Sequence, residues 1–408
     1  MVFSLSGSAA AKDEWSHPYS GIKHLHRREN GKDYHATFVD LNSAELSVIA
    51  TRPADRGLTV RDFAKRYDAQ IAINANYYDV GIRPCGMAAG AGTVWTDAYE
   101  EACSMSFAFG ALNQAKAFDS SETLKGPVSE EWMREIVSGK PWLVRQGIVQ
   151  AGWHDPPHMR SPHPRTALGL SEDRNTLLIV VADGRKPGFP GLYGHQLAKI
   201  MADLGAYDAV NLDGGGSSVL YIEAEGGIQN HPSGSLRTVG NHLGIRVNKG
   251  AVWYGAALES MSSAPTLQAG DSATMWVRYR NTGRFTWRST GPNQVELVSS
   301  LSRPSPFYLP SWVSSTIPVG LSHEVRPGDS VTFEFEIGAP AADGDFDLQL
   351  LPKMAGIEAV EGVAASWQLQ VMDEPEQKAL AARNAARGAS MREKKDASGW
   401  TGICRTIC

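Results

Sequence analysis

The chain has 408 residues, of which 42% are hydrophobic and 20% are charged, and its formal net charge is -5. This length is sufficient for two or more globular cores, and the charge balance excludes the basic domain that nucleic-acid binding requires. Since no apolar run approaches the roughly 18 residues of a membrane span, the sequence predicts a multidomain globular protein without such a span.

Residues 1–34 are predicted to be an N-terminal segment that precedes the first domain. The opening "MVFSLSGSAAAKDEW" has small residues like those at the end of a signal peptide, but it lacks a basic region and a full apolar core. Either the chain is cytosolic or its signal sequence has been replaced.

Residues 35–249 are predicted to form the first domain. Short strand-like runs such as "ATFVDL", "TLLIVVAD" and "SVLYI" are separated by Gly, Pro and Asn. Two segments have helical periodicity, "TVRDFAKRYD" at 59–68 and "LYGHQLAKIMADLGA", where Gly205 ends the helix. Because strands outnumber helices, the sequence favours an α+β fold with mixed sheets over a doubly wound one.

The remainder is predicted to contain a linker, a second domain and a tail. Residues 250–261 connect the domains, and 262–372 show period-two runs separated by turn signals, which is typical of an immunoglobulin-like β-sandwich. Residues 373–408 are charged and alanine-rich and are predicted to be a mobile tail.

The four cysteines leave two interpretations open. Cys85 and Cys103 flank a Gly/Ala-rich loop, while Cys404 and Cys408 lie in the last five residues. They are either unrelated thiols or two local disulfides formed in an oxidising compartment.

The stretch "YDAVNLDGGGSSVLYI" at 207–222 carries the strongest functional signal. Its apolar flanks predict one strand entering and another leaving a glycine turn, with Asp213 at the mouth of a sheet. Gly214, Gly215 and Gly216 are free to adopt positive φ and expose N–H groups that bind an anion such as phosphate. The hydroxyl groups of Ser217 and Ser218 suit phosphate or sugar oxygens.

Three motif families do not fit this stretch, whereas a plain hairpin does. A Walker loop needs Gly-Lys-Ser/Thr, a nucleophile elbow needs Gly-x-Ser-x-Gly, and a dinucleotide loop precedes a helix. A tight hairpin between two core strands therefore stays open as the structural alternative.

Polar side chains also border other strand-like runs, in "IAINANYYD", "PRTALGL", "LLIVVADGR" and "RTVGNHLGIRV". Polar side chains at several strand ends suggest that these groups gather at one rim of the domain, as is expected of a cleft that binds carbohydrate or phosphate. Each residue has a structural alternative: a turn for Asp183, a surface position for Arg165 and a half-buried, satisfied ring for His242. The candidates from these runs are Asn74, Asn76, Tyr78, Arg165, Asp183, Arg237, Asn241 and His242.

"NLDGGGSS", preceded by "PRTALGLSEDRNTLLIVVADGR" and an amphipathic helix, resembles the phosphodiester glycosidase family, over roughly residues 35 to 248. That family includes N-acetylglucosamine-1-phosphodiester α-N-acetylglucosaminidase. The sequence departs from the family at "NANYYD", where Asn-Gly-Gly usually precedes two aromatic residues.

The resemblance implies hydrolysis of a glycosidic bond whose leaving group is a phosphodiester, such as an N-acetylglucosamine-1-phosphodiester or a related cell-surface glycan. Asp213, Asp183 and Arg165 are then the expected catalytic residues. Arg165 and the glycine N–H groups would hold the phosphate, and Asp213 would act as nucleophile, base or hydroxyl anchor.

Two alternatives to this function remain open. One is a glycosidase acting on phosphate-free polysaccharide, with Asp155 as its acid, and the other is a non-catalytic glycan-binding envelope protein. The leading hypothesis places the hydrolase outside the cytoplasm, secreted or periplasmic, with a carbohydrate or sugar-phosphate as its partner.

The sequence does not identify a cofactor. Ca²⁺ or Mg²⁺ bound near Asp213 or Asp183 is one hypothesis. The histidines of "GWHDPPHMRSPHPR" favour a rigid substrate-facing loop beside Arg165 over a zinc site, because a Pro-rich loop rarely fixes tetrahedral geometry.

The second domain resembles the four-tryptophan immunoglobulin-like domains found beside bacterial secreted hydrolases. Trp276, Trp287, Trp312 and Trp367 are its tryptophans. All four are expected to pack in the sandwich core. The alternative is an exposed aromatic platform that binds polysaccharide, for which Trp312 is the expected residue.

Overall fold

The computed structural model describes residues 12–99, 103–119, 132–151, 157–300, 304–355, 361–362, 364–372 and 383. The chain divides into two compact units, and the division lies between Ala251 and Val252.

The first unit consists mostly of strands, with two α-helices among its described residues. The helices are α1 (Val60–Tyr67) and α2 (Gly194–Asp203). The strands are β1 (Lys12–Tyr19), β2 (Ile22–Glu29), β3 (Lys32–Asp40), β4 (Leu46–Ala50), β5 (Ile71–Asn74), β6 (Ala89–Gly90), β7 (Thr93–Val94), β8 (Met105–Phe109), β9 (Ala115–Asp119), β10 (Glu135–Gly139), β11 (Trp142–Arg145), β12 (Ile148–Val149), β13 (Arg165–Leu170), β14 (Thr176–Ala182), β15 (Asp208–Asn211), β16 (Leu220–Ile222), β17 (Gly227–Ile228) and β18 (His242–Val247).

These strands form three sheets. The largest has the order β1-β2-β3-β14-β13-β15-β11-β12, and the others have the orders β17-β16-β5-β18-β4 and β7-β6-β10-β8-β9. One apolar core joins residues of all three, including Ile179, Ile73 and Phe107. The structure is therefore mostly β with several sheets, a more strand-rich architecture than the α+β fold expected from the sequence.

The direction of the strands brings several of their ends to one edge of the large sheet. Strand β13 pairs antiparallel with both β14 and β15, so β14 and β15 run the same way. Asp183 and Asp213 follow these two strands, and Arg165 begins β13 at the same edge. In the neighbouring sheet Asn74, the last residue of β5, lies opposite His242, the first residue of β18.

Both helices form where periodicity predicts them. In α1 the side chain of Thr59 caps the N-terminus by accepting from the Asp62 N–H, and Val60 and Phe63 are buried. In α2 Leu197 and Met201 belong to the core on the other side of the large sheet.

Two domain boundaries differ from those expected. Residues 12–34, assigned to an N-terminal segment, form β1, β2 and the beginning of β3, because their alternating residues pair with the large sheet. Residues 255–261, assigned to the linker, form a strand of the second unit.

The second unit has two sheets that share one hydrophobic core. The strands are β19 (Gly255–Met261), β20 (Thr266–Gln268), β21 (Ser272–Asn281), β22 (Val295–Ser299), β23 (Val319–Gly320), β24 (Ser330–Gly338), β25 (Gly344–Met354), β26 (Glu361–Gly362) and β27 (Ala365–Met372). The orders of the two sheets are β24-β21-β19-β26 and β20-β27-β25-β22-β23.

Of the four tryptophans expected in the sandwich core, three are buried. Trp287 and Trp367 are fully buried, as expected for core residues. The expectation that Trp312 is exposed is wrong, because it is 6% exposed and its Nε1 donates to the Glu336 carbonyl oxygen at 2.6 Å. Trp276 is 37% exposed and is the tryptophan of the four that faces solvent.

Cys85 and Cys103 form a disulfide with a Cα–Cα distance of 5.7 Å, which decides between the two interpretations for this pair. Cys404, Cys408 and the tail assigned to 373–408, apart from residue 383, lie outside the described residues. Within the described part of the chain, no helix combines the length and the apolar character needed to cross a bilayer.

Candidate functional site

Asp213 lies between the end of β15 and the glycine turn. Its side chain is partly accessible, and one carboxylate oxygen accepts the Gly214 N–H at 2.9 Å. Burial raises the pKa of the Asp213 carboxyl above its ordinary value, while a hydrogen bond from Ser217 and the charge of Arg237 act in the opposite direction. The site therefore holds one accessible carboxylate with a higher proton affinity than a surface aspartate has.

The glycine turn differs from the expected nest of three N–H groups. Only Gly215 of the three has positive φ, at +62°. The Gly214 N–H donates to Asp213, and the Gly215 N–H donates to the Pro164 carbonyl oxygen at 2.9 Å. Since two of these N–H groups are used within the protein, the backbone of the turn does not by itself provide the expected anion site.

Because the glycines have no side chains, two arginine side chains can lie against the turn instead. A Cβ atom on Gly215 would lie 3.0 Å from Nη2 of Arg185, and one on Gly216 would lie 3.2 Å from Nη1 of Arg237. Both arginines are exposed. Arg237 also donates to the Ser217 hydroxyl at 2.6 Å, which fixes its position beside Asp213. Two accessible positive charges thus flank the turn.

Asn74 connects the two sheets beneath this turn. Its Nδ2 donates to the carbonyl oxygen of Asp213 at 2.6 Å. Its Oδ1 accepts from the Thr166 hydroxyl at 2.9 Å and from the Val219 N–H at 3.3 Å. Asn74 therefore positions the backbone at Asp213, and its side chain is fully buried.

The neighbouring candidates Asn76, Asn241 and His242 are buried as well. Asn241 accepts the Asn76 N–H at 2.8 Å, and the two side-chain amides are hydrogen-bonded at 3.0 Å. His242 shares a 2.8 Å hydrogen bond with the Thr51 hydroxyl, and burial lowers its pKa to about 3. Nε2 of His242 has no hydrogen-bond partner among the described residues. The hydrogen bonds that these three residues do make are internal, so their arrangement supports the cleft wall.

Arg165 is buried, so the surface position considered as its structural alternative is wrong. Its guanidinium contacts backbone carbonyl groups. Nε donates to Leu192 at 2.9 Å, and Nη2 donates to His158 at 2.7 Å and to Ser161 at 2.9 Å. Burial lowers the pKa of Arg165 to about 10. The structure places this charge under the loop at 158–163, where it holds the loop in position.

Asp183 is buried in a network of ion pairs. Its Oδ2 accepts from Lys186 Nζ at 2.5 Å, and its Oδ1 accepts the His231 N–H at 2.7 Å. Both oxygens of Asp183 thus accept from N–H groups, whereas in Asp213 one oxygen accepts the Gly214 N–H. Of the two carboxylates, Asp183 is therefore the poorer candidate for the Ca²⁺ or Mg²⁺ ion expected near them, because such an ion requires free oxygen ligands.

Tyr77 and His158 were not among the site residues expected from the sequence, although His158 belongs to the loop expected to face the substrate. The hydroxyl of Tyr77 lies 3.0 Å from His158 Nε2, and it also accepts from Asn211 Nδ2. Burial raises the pKa of Tyr77, and the negative charge of Asp213 raises it further. Burial lowers the pKa of His158 to about 4. Tyr77 therefore lies near enough to Asp213 to respond to its charge, and the motif "NANYYD" is the sequence signal that could have identified Tyr77.

Tyr78, the tyrosine expected to bind substrate, is directed elsewhere. Its hydroxyl donates to the Thr238 carbonyl oxygen at 3.1 Å, and a Cβ atom on Gly240 would lie 2.7 Å from its Cβ. Ser217 and Ser218 are both buried, and the Ser218 Oγ has no hydrogen-bond partner among the described residues. His154 and Asp155 lie outside those residues.

Comparison with known proteins finds one family model for this unit, described as phosphodiester glycosidase, which matches residues 67–246. The SPbeta prophage-derived uncharacterized protein YomE of Bacillus subtilis is 28% identical over 198 residues, which are 46% of this chain and 29% of that protein. The chain therefore spans less than a third of the length of this curated relative.

Among solved structures, the zebrafish N-acetylglucosamine-1-phosphodiester alpha-N-acetylglucosaminidase catalytic domain, auto-inhibited by its pro-peptide, has 20% identity and a TM-score of 0.44. The match covers 59% of this chain and 85% of that one. A hypothetical protein from Synechocystis has 14% identity and a TM-score of 0.44, over 59% of this chain and 64% of its own.

Proposed function

Because residues 67–246 match the family model described as phosphodiester glycosidase, we propose that the protein hydrolyses the bond between the anomeric carbon of a sugar and a phosphodiester. An N-acetylglucosamine-1-phosphodiester is the substrate class to test first. Cleavage breaks the C1–O bond and leaves its electron pair on the phosphate oxygen. Water supplies the hydroxyl group to the sugar and a proton to the released phosphate.

The observation that carries this proposal is the pair of exposed guanidinium groups at the glycine turn that follows Asp213. Arg185 and Arg237 lie against Gly215 and Gly216, where an added Cβ atom would approach the guanidinium groups to 3.0 and 3.2 Å and require them to shift. A planar guanidinium binds phosphate oxygens through two parallel N–H donors. Their charges stabilise the negative charge that grows on the leaving phosphate, by about 3 kcal/mol for each well-placed donor.

Asp213 is the carboxylate that acts on the sugar. A phosphodiester is a good leaving group, so its departure requires less protonation than that of an ordinary alcohol. This property matches a site in which Asp213 is accessible whereas Asp183 is 2% exposed and paired with Lys186. We assign Asp183 to holding Lys186 and His231 at the rim, and Arg165 to positioning the 158–163 loop.

The experiment measures sugar release from UDP-GlcNAc and from a GlcNAc-1-phosphomethyl ester, beside a phosphate-free α-GlcNAc glycoside. Turnover of the phosphate compounds alone supports the proposal. Turnover of the phosphate-free glycoside at a similar rate identifies an ordinary glycosidase. Binding of glycans without turnover identifies a non-catalytic protein.

Matched variants locate the chemistry. Asp213→Asn should reduce kcat by several orders of magnitude while circular dichroism stays unchanged. Arg185→Gln and Arg237→Gln should each reduce kcat/KM at least tenfold on the phosphate substrates. Arg61→Gln, an exposed arginine on α1, is the control and should behave as the wild type. Wild-type turnover by Asp213→Asn would end the assignment.

We propose an extracytoplasmic location, secreted or periplasmic. The disulfide between Cys85 and Cys103 supports it, because disulfides persist in oxidising compartments and are rare in the cytosol. Alkylation of free thiols in cell fractions, followed by mass spectrometry of this pair, tests the proposal. A reduced pair in the native protein would contradict it.

For the second unit we propose an immunoglobulin-like sandwich that acts as a binding or spacing module. Two sheets around one core support it, and Trp276 is its exposed aromatic candidate for sugar stacking. Affinity electrophoresis of wild type and Trp276→Ala in polysaccharide gels tests the binding role, which requires retardation that the variant loses.

A further inference from the structure

A cluster of histidines and carboxylates lies on β2 and β3, outside the glycine turn. The register places His26 opposite His35, and His24 and Asp33 are each two residues along one of these strands. Since side chains two apart share a face of a sheet, all four lie on the same face. Ligand atoms of His26, Asp33 and His35 lie within 4.8 Å of one another.

We propose that His26, Asp33 and His35 form a binding site for one divalent transition-metal ion of the Zn²⁺ type. Two imidazoles and one carboxylate are a ligand set for zinc, cobalt or iron, whereas Ca²⁺ and Mg²⁺ take oxygen ligands. Three protein ligands leave a fourth tetrahedral position for water.

The hydrogen bonds behind His35 fix which of its nitrogen atoms faces the cluster. Glu225 Oε2 lies 2.7 Å from Nδ1 of His24, so this nitrogen carries the proton. Nε2 of His24 is then an acceptor, and it receives the proton of His35 Nδ1 at 3.0 Å. Nε2 of His35 therefore presents a lone pair. A metal-ligating histidine usually donates its other ring N–H to a hydrogen-bond acceptor, and here that acceptor is His24, which Glu225 orients in turn.

Asp33 is arranged to offer one oxygen. Its Oδ1 lies 2.8 Å from Nε2 of His26, the position at which a metal would replace the shared proton. Its Oδ2 accepts from Lys186 at 3.3 Å and from Arg28 at 3.4 Å.

Binding requires one local movement. The rings of His26 and His35 are stacked with centroids 4.1 Å apart, so their nitrogen atoms do not yet converge on one point. The His26 side chain is 17% exposed and that of Asp33 is 3% exposed. His26 is therefore the ligand with room to turn, and it releases its Nε2 proton as the metal binds.

The test is titration of the untagged full chain, first treated with chelator, with Zn²⁺ by calorimetry and with Co²⁺ by visible absorption. We expect one equivalent to bind, with the absorption of tetrahedral nitrogen and oxygen ligation. His26→Ala and Asp33→Asn should each weaken binding at least tenfold, and Glu225→Gln, which acts only through His24, should weaken it less than either. His17→Ala, an exposed histidine on β1, is the matched control and should bind as the wild type does.

Absence of stoichiometric binding by the wild-type chain would overturn the proposal, as would equal affinity in His26→Ala and the wild type. His26 is partly exposed, so His26→Ala is expected to fold, and circular dichroism recorded on the same samples verifies this. The readout is metal binding, so the result is independent of whether the glycosidase activity is found.

Discussion

Nδ2 of Asn74 donates a 2.6 Å hydrogen bond to the carbonyl oxygen of Asp213, across 139 positions of the chain. The last residue of β5, in one sheet, thereby holds the backbone of Asp213, which lies just beyond the end of β15 in another sheet. Asp213 in turn donates its backbone N–H to the carbonyl oxygen of Ala75 at 3.0 Å. The carboxylate proposed to act on the sugar is thus anchored from both sides by the strand end that contains Asn74.

Asn74→Ala should lower the free energy of unfolding by about 3 kcal/mol, because it leaves buried partners unsatisfied. Thr166→Val removes only one of the three hydrogen bonds and should cost about 1 kcal/mol. Urea unfolding monitored by fluorescence measures both. Equal costs for the two variants would show that Asn74 does not hold the Asp213 backbone.

Gly215→Ala should reduce both stability and activity. Positive φ costs a residue with a Cβ about 1 kcal/mol, and the new atom would also displace the Arg185 guanidinium. Gly57→Ala is the control, since Gly57 has φ of +78° and no atom within 4 Å of its added Cβ. We expect similar losses of stability but at least a tenfold loss of kcat/KM for Gly215→Ala alone.

The acidic limb of the pH–rate profile should lie above the ordinary pKa of an aspartate. Burial raises the pKa of Asp213, so the carboxylate is protonated at low pH and activity appears as the pH rises through this higher value. Arg237→Gln removes a charge that lowers the pKa of Asp213, so the limb should move to higher pH.

Initial rates of Arg237→Gln, measured from pH 3 to 8 beside Arg61→Gln, test this shift. The Arg61 variant should keep the wild-type limb. A limb that moves to lower pH in Arg237→Gln would contradict the assignment to Asp213.

Replacing Cys85 and Cys103 together by Ser should lower the free energy of unfolding by about 3 kcal/mol, because the disulfide closes a loop in the unfolded chain. The two cysteines are separated by 18 positions, and both are buried. Reductant should lower the Tm of a Cys404→Ser/Cys408→Ser variant by the same amount as the Cys85/Cys103 replacement does. An unchanged Tm would contradict a stabilising role.

Much of the first unit could be predicted from local pattern. The helix at 59–68 follows from periodicity and a Thr cap, and the position of Asp213 follows from an apolar strand that ends at a glycine run. The hydrogen bond between Asn74 and Asp213 could not be predicted, because it depends on how two sheets pack. The strands formed by residues 12–34 were missed because their exposed and polar residues gave no apolar run.

The sequence by itself determined that an acid, three glycines and two serines follow a buried strand, since alternation and turn chemistry are local properties. Only the tertiary structure decided that the guanidinium of Arg185, and not that of Arg165, lies against the glycine turn. It also decided that Tyr77, and not Tyr78, lies near Asp213. Arg165 and Arg185 are equally charged, and the two tyrosines are adjacent. Which of them reaches the cleft depends on the carbonyl groups and glycines that distant segments bring near, and these are set by packing across the whole sheet.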